Sequence, residues 1–466
     1  MALVTSKTMR KAILITLSLV CAHMSLGQEV LTLTECRKRA VAHNKELQKT
    51  RYQKAESLVN QKAARTSYLP GIDANANLIN LFLFNDLDLP GGAFLPTAES
   101  EQAAQRGDYS GTSDVWSPGL SLPSDNLSIA YTDFTVSQPV YMGGKIRHVN
   151  KQADAAVDIA RYSFDLKYAE IIELTDQVFW DVVMIKATIE LAEKYAEMLL
   201  ELEEQMNDMY EVGLQPASEK LKVSVRKNEV ELDLVRAKNQ LKIAKIRLNQ
   251  VLGQDLNTPL EIDYPALAPS SLFDLENGVE TALANRAELK VLEKQLVISE
   301  YEKKVVNADY LPQIGVNASY FSSYDNITES MTHNPMIAAQ LKIPIFHWGQ
   351  AKYKQQAAEL EVKQNRTELE NTGDLVNLEV FRTKVEIEEA YEVILIAEKS
   401  IKEAQESLEE VEASFEVGLN TTSDLLNAQA DWQDANVQWI NATARYNVLK
   451  TKWERVTGEL VPNEMD

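Results

Sequence analysis

The sequence predicts a mainly α-helical chain with a membrane β-barrel portion, built from two copies of a unit in which long coiled-coil helices flank a β-hairpin. Three observations predict this. Landmarks recur in step: Pro139, Gly144, Gly213, Ser218 and Gly253 are each answered 205 residues later by Pro344, Gly349, Gly418, Ser423 and Gly458. A register held across about a hundred residues without an insertion marks an internal duplication. Proline is absent from Val140 to Gln215 and from Ile345 to Val461, so nothing there interrupts helical hydrogen bonding. Finally, stretches ahead of these runs alternate apolar and polar residues with period two, the pattern of strands.

In chain order, Lys7, Arg10 and Lys11 precede an apolar run from Ala12 to Val20, and Ser25-Leu26-Gly27 offers a small-residue cleavage site before Gln28. Residues 1–27 therefore read as a secretory signal peptide, with Met9 as an alternative start. Its apolar run is too short to span a bilayer. Cys21 raises lipidation, which Val20 before it disfavours. Cys36 is then the one cysteine of the mature chain, so no intrachain disulfide is expected. The formal charge of −22 becomes −25 once the three cations of the signal are removed. Such acidity argues against nucleic acid and against an anionic membrane surface. No other segment is apolar enough for a membrane helix, so any passage through lipid requires a closed β-barrel.

The first repeat is expected over residues 28–256. Leu33 to Ser67 reads as a helical pair or one long helix ending at Tyr68-Leu69-Pro70. Its counterpart lies 242 residues on, where Ala284, Glu288, Leu289, Tyr310, Leu311 and Pro312 match Ala42, Glu46, Leu47, Tyr68, Leu69 and Pro70. The change of offset places 37 extra residues in the first copy between Pro70 and Pro139. Strands are expected within 70–140 and long helices over 144–252. A short Pro-rich linker, with room for a strand, covers 257–271. The second repeat covers 272–460, with strands within 312–345 and long helices over 349–457, and 461–466 forms a short tail.

The strand pattern is clearest at Ile72, Ala74, Ala76, Leu78; at Ile314, Val316, Ala318, Tyr320; and at Ile337, Ala339, Leu341, Ile343. Ser128 to Val140 alternates less cleanly. Leu87–Asp125 and Ser323–Asn334 are expected as surface loops. Alternation alone favours an ordinary soluble hairpin; the signal peptide and the setting between very long helices reverse that preference toward a membrane barrel. Each copy supplies two strands. Four strands cannot close a barrel, and open edges are not tolerated in lipid, so the chain must assemble with copies of itself.

The helices show a coiled-coil seam. Val178, Val182, Ile185, Ile189, Ala192, Ala196, Leu199, Leu202, Met206 and Met209 recur every three or four residues, as do Ile387, Tyr391, Ile394, Ala397, Ile401, Ala404, Leu408, Val411 and Phe415. The mean spacing fits a heptad. A helix from Gly144 to Gly213 would be roughly 100 Å long, too long for a compact domain. Gly213 and Gly418 stand where these helices end and suit the left-handed residue after a helix. Ser218 and Ser423 are expected to cap the returning helices, with Glu219 and Asp424 in the first turn, where the helix dipole favours an anion.

No catalytic constellation is present. His23, His43, His148, His333 and His347 show no metal-ligand spacing, and there is no nucleophile elbow or phosphate-cradling glycine loop. The glutamates lie beside Lys and Arg at helix-surface spacing and read as solvated faces. The sequence therefore predicts no enzyme, cofactor or metal.

The duplicated plan, the Tyr-Leu-Pro lead into the strands, the Pro-Ile-Phe…Gly exit at Pro344–Gly349, and the Val-Gly-Leu turn followed by Ser-Asp-Leu-Leu over Val417–Leu426 resemble the TolC-like outer membrane efflux protein family. The likeness covers nearly all of the mature chain. It implies a homotrimer whose twelve strands close one barrel in outer-membrane lipid and whose helices form a tunnel into the periplasm of a Gram-negative bacterium. The implied function is a passive export channel for small molecules or proteins. A periplasmic adaptor (membrane fusion) protein would join it to an inner-membrane transporter of the RND or ABC type. The resemblance places the adaptor contact at the turns, over Val212, Gly213, Leu214, Ser218, Val417, Gly418, Leu419, Thr421 and Ser423. It also places an acidic ring at the pore entrance through Asp424, with Asn427 where the family often has a second aspartate, and Glu219 as the first-copy equivalent. The competing class is a soluble periplasmic coiled-coil adaptor or scaffold, for which one helical hairpin with a lipoyl-like domain would be usual.

Overall fold

The computed structural model describes residues 30–82, 87–89, 120–122, 126–263, 272–325 and 329–462. The expected signal peptide with Cys21, most of Leu87–Asp125, residues 264–271 of the linker and residues 463–466 lie outside them. In chain order the elements are β1 (Val30–Leu31), α1 (Leu33–His43), α2 (Lys45–Thr66), β2 (Gly71–Phe82), β3 (Leu87–Leu89), β4 (Leu120–Leu122), β5 (Asn126–Met142), α3 (Lys145–Glu211) and α4 (Ala217–Val251). There follow β6 (Glu261–Ile262), α5 (Gly278–Asn285), α6 (Ala287–Ala308), β7 (Gln313–Asp325), β8 (Met331–Lys342), α7 (Gln350–Glu416) and α8 (Thr422–Val456).

The duplication holds element by element. Helices α3 and α7 each run 67 residues and α4 and α8 each run 35, with both ends of each pair 205 residues apart. Helices α2 and α6 each run 22 residues and stand 242 apart. No described helix is long and apolar enough to cross a membrane.

The chain divides into two compact units, one of Ala153–Ser299 and Glu361–Asp466 with the N-terminal segment to Asn60, the other of Gln61–Gln152 and Glu300–Leu360. In the first, the heptad positions form the core. Val178, Val182, Leu199 and Met206 on α3 are buried, as are Ile387, Ile394, Leu408 and Phe415 on α7. Leu202, Met206, Val223, Leu408, Phe415 and Leu425 form one cluster that ties α3, α4, α7 and α8 together. β1 pairs in parallel with β6, so the linker does contain a strand. Two glycines repeat the same close approach. A Cβ on Gly253 would lie 2.2 Å from the His43 carbonyl oxygen, and one on Gly458 2.9 Å from the backbone of Asn285 and Arg286. His43 and Asn285 end α1 and α5 and are counterparts by the 242-residue offset. Each repeat thus seats its last glycine on the end of its first helix.

A buried carboxylate crosses this core. Asp176 on α3 is forked by Arg37 of α1: Arg37 Nε donates to Oδ1 over 2.7 Å and a second guanidinium nitrogen donates to Oδ2. Thr451 Oγ1 of α8 donates to the same Oδ2 over 2.5 Å.

In the second unit β2, β5, β7 and β8 form one antiparallel sheet in that order. Its register aligns apolar rows on one face. Ile72, Val136, Ala318 and Ile337 form one row across all four strands, and Ala74, Phe134, Tyr320 and Pro335 the next row on the same face. The opposite face carries rows such as Asp73, Thr135, Ser319, Met336 and Asn75, Asp133, Phe321, Asn334. Ser128–Val140 alternates weakly because Thr132 and Gln138 share the face of Phe134 and Val136 while Tyr131 lies on the other, and its end is further irregular. The ladder shifts register between Pro139 and Tyr141, so Val140 is unpaired and Tyr141 returns to the apolar face opposite Ile314.

Two expectations are corrected here. Ser323–Asn334 is largely strand, not loop: Ser323 pairs with Thr332 and Tyr324 with Met331, and Ser323 Oγ lies 2.7 Å from Thr332 Oγ1. Backbone ladder bonds need no apolar side chains, so the strands continue past the amphipathic stretch. Leu87–Asp125 likewise holds β3 and β4, which pair antiparallel near its ends.

Candidate functional site at the helix turns

Both long helices end in the same turn. Gly213 N–H donates to the Tyr210 carbonyl over 3.0 Å and Leu214 N–H to that of Met209 over 2.8 Å. In the second copy Gly418 donates to Phe415 over 3.0 Å and Leu419 to Ser414 over 2.9 Å. This is a Schellman closure, and Gly213 (φ +76°) and Gly418 (φ +77°) hold the left-handed position it requires. The turns present apolar tips to solvent. Val212, Leu214, Val417 and Leu419 are 70%, 74%, 70% and 80% exposed.

The caps differ from expectation. Ser218 and Ser423 lie inside the first turns and cap neither helix. The N-cap of α8 is Thr421, in a capping box: its Oγ1 accepts from Asp424 N–H over 3.2 Å, and Asp424 Oδ2 accepts from Thr421 N–H over 2.9 Å. Thr421 Oγ1 also donates to Oδ2 over 2.7 Å. The N-cap of α4 is Pro216, which has no side-chain acceptor to offer. The reason is register. A capping side chain must precede the first helical residue, and both helices begin one residue before the serine.

Thr421's side-chain and backbone hydrogen bonds hold the Asp424 carboxyl below its usual range. The box therefore contributes fully above the ordinary carboxylate pKa and weakens as pH falls through the depressed value. Thr421→Ala is expected to cost about 1 kcal/mol locally. Faster amide exchange over the first turn of α8, with α4 unchanged, checks this. Equal protection in wild type and variant would contradict it.

The two turns are joined by a residue the sequence reading missed. Lys222 Nζ lies 2.8 Å from Glu219 Oε1 and 3.3 Å from Ser423 Oγ. Its hydrogen bond lowers the Glu219 pKa, with Thr422 adding to the effect. The three-residue spacing of Glu219 and Lys222 on one helix was the available signal. An open groove of about 660 Å³ is lined by Ser218, Leu221, Lys222, Val225, Arg226, Ser423, Leu426 and Asn427. Arg226 Nε is anchored 3.0 Å from the hydroxyl of buried Tyr195. Of the predicted site residues, Ser218, Ser423 and Asn427 thus line one groove and Glu219 borders it through Lys222. Asp424 stands apart, exposed and bonded to Thr421. Among the described residues no three His, Cys, Asp or Glu gather as ligands for a metal ion.

Comparison with known proteins agrees with this architecture. The sequence matches the family described as outer membrane efflux protein over residues 98–254 and 278–456. Among proteins of curated function, none matches. Three solved structures share the fold. The CmeC outer membrane channel of Campylobacter jejuni is 17% identical, with 93% of this chain and 87% of that chain covered and a TM-score of 0.74. The outer membrane protein VceC of Vibrio cholerae is 14% identical, with coverage of 91% and 96% and a TM-score of 0.71. The MtrE outer membrane channel of Neisseria gonorrhoeae, in its open state, is 16% identical, with coverage of 92% and 89% and a TM-score of 0.68.

Proposed function

Because this chain belongs to the outer membrane efflux protein family, we propose that it is a passive export channel: a homotrimer whose twelve strands close one barrel in the outer membrane. The carrying observation is the four-stranded sheet. Its strands of 12 to 17 residues are long enough for a tilted passage through hydrocarbon. Apolar rows such as Ile72, Val136, Ala318 and Ile337 cross all four strands on one face, and the edge strands β2 and β8 are each paired on one side only among the described residues. Strand addition by sibling chains satisfies both edges.

The helical unit fits the periplasmic part of such a channel. Its exposed apolar tips at Val212, Gly213, Leu214, Val417, Gly418 and Leu419 suit docking of a periplasmic adaptor, which would couple the channel to an inner-membrane transporter of the RND or ABC type. Asp424, ionised and exposed, would form one acidic ring at the entrance when repeated around the trimer axis. Asn427 leaves the neighbouring ring uncharged, and Glu219, paired with Lys222, adds little net charge.

Planar-bilayer recording of the purified protein tests this reading. Discrete channels with cation preference are expected. In Asp424→Ala, block by a multivalent cation should need an on-the-order-of-tenfold higher concentration, the lower limit of field focusing in a charged cleft. A protein that forms no channels overturns the channel reading. One whose cation preference and block ignore Asp424 overturns the ring.

A further inference from the structure

The two hairpins of the sheet share one register. Gly71 pairs with Ser137 in the first and Gln313 with Lys342 in the second. Gln313 stands 242 residues after Gly71, and Lys342 stands 205 after Ser137, the two offsets that relate the repeats. The rule holds to the far end of the ladder: Ile72–Val136 becomes Ile314–Leu341, and Phe82–Asn126 becomes Tyr324–Met331. The 37 extra residues of the first copy therefore fall between Phe82 and Asn126 and shift no pair.

A different seam joins one repeat to the other, between β5 and β7. There Ser137 pairs with Asn317, Val136 with Ala318 and Phe134 with Tyr320. Its counterpart in the duplicated plan is a seam between β8 and β2, which stand at opposite edges of the sheet. Carried by the same two offsets, Ser137–Asn317 becomes Lys342–Asn75, Val136–Ala318 becomes Leu341–Ala76, and Phe134–Tyr320 becomes Ala339–Leu78. This register keeps the faces of the sheet in step. Leu341 and Ala339 share the apolar face with Ile337, and Ala76 and Leu78 share it with Ile72. A slip of one residue would set apolar against polar along the whole edge. Each apolar pair also sets a large side chain against a small one. On the opposite face Lys342 lies beside Asn75 and diagonal to Asp73, about 7–8 Å away between backbones and within a lysine's reach.

We propose that sibling chains join through this register: β8 of one copy lies antiparallel beside β2 of the next, with Leu341 opposite Ala76. The seam between chains then repeats the seam between repeats, and a trimer closes on three of each. The inference rests on the homotrimer reading and adds what that reading leaves open, namely which residues of the two edges meet.

Paired cysteines in the full-length mature protein, oxidised with copper phenanthroline in the outer membrane fraction, read the register. Leu341→Cys with Ala76→Cys is expected to give covalent trimers on a non-reducing denaturing gel and single chains after reduction. Gln340→Cys with Asn77→Cys, the corresponding pair on the polar face, should do the same. Opposed residues lie about 4.5–5.5 Å apart between Cα atoms, inside the span of a disulfide, whereas diagonal ones at about 7–8 Å lie outside it. Leu341→Cys with Ala74→Cys or with Leu78→Cys, a slip of two residues either way, should therefore stay uncrosslinked, as should each single variant. The native Cys36 is buried, and burial pushes its thiol up to about 12, so it stays out of the reaction. Planar-bilayer recording of each variant before oxidation keeps the two readings apart. Variants that form channels but crosslink at a slipped pair, or at neither expected pair, overturn the register and leave the channel standing. A wild-type protein with neither channels nor oligomers overturns both.

Discussion

An arginine in place of Ile337 is expected to keep the protein out of the outer membrane, while an arginine in place of Met336 leaves assembly intact. The two residues are neighbours on β8, and both side chains are exposed in the single chain. They differ in the face they occupy. Ile337 belongs to the row Ile72, Val136, Ala318, Ile337, and Met336 to the row Asp73, Thr135, Ser319, Met336. In a closed barrel the first row meets hydrocarbon and the second meets the aqueous lumen. Arginine on a lipid face costs about 2–4 kcal/mol near the bilayer midplane and much less toward its edges. In a trimer that cost recurs in every chain. The amount of oligomer recovered in the outer membrane fraction measures the difference. If both variants assemble equally, the sheet is not embedded in lipid, and a soluble coiled-coil scaffold becomes the better account.

That pair of positions also shows what the sequence could and could not convey. Period-two alternation placed Ile337, Ala339 and Leu341 on one face, because strand geometry is local. Which residues of the other strands share that face depends on register, which the sequence leaves open. The long helices were legible for the same local reason. Heptad residues, the Pro-free runs and the glycines at 213 and 418 act within a few residues of themselves, and the constant offset carried each assignment to its counterpart. The cap of α8 was within reach, since Thr421-x-x-Asp424 has capping-box spacing, but Ser423 competes for the same role and only backbone geometry decides between them. The strand ends at Ser323 and Thr332 gave no signal, because polar residues pair there through backbone bonds.

The Asp176 site is the extreme case of long-range dependence, and its disruption should be the costliest single change in the helical unit. Its partners Arg37 and Thr451 lie 139 and 275 residues away. The Asp176 side chain is 1% exposed, and its hydrogen-bond partners there are the forked guanidinium and the Thr451 hydroxyl. Arg37→Ala leaves that carboxylate buried and uncompensated, which costs roughly 3–5 kcal/mol. Arg37→Lys should recover only part, since an ammonium is a point charge and cannot match the two-pronged contact. Arg37→Leu combined with Asp176→Leu should cost less than Arg37→Ala, because removing both charges also removes the desolvation penalty. Lys399→Ala, which breaks an exposed pair with Glu403, should change stability by about 1 kcal/mol at most. Loss of helical circular dichroism on heating, compared at one scan rate, ranks the four variants. Were Arg37→Ala to melt with Lys399→Ala near the wild-type temperature, the pairing of α1 with α3 would not be what holds the N-terminal segment in place. The hydrophobic contacts of Cys36 and Ala40 would then have to suffice.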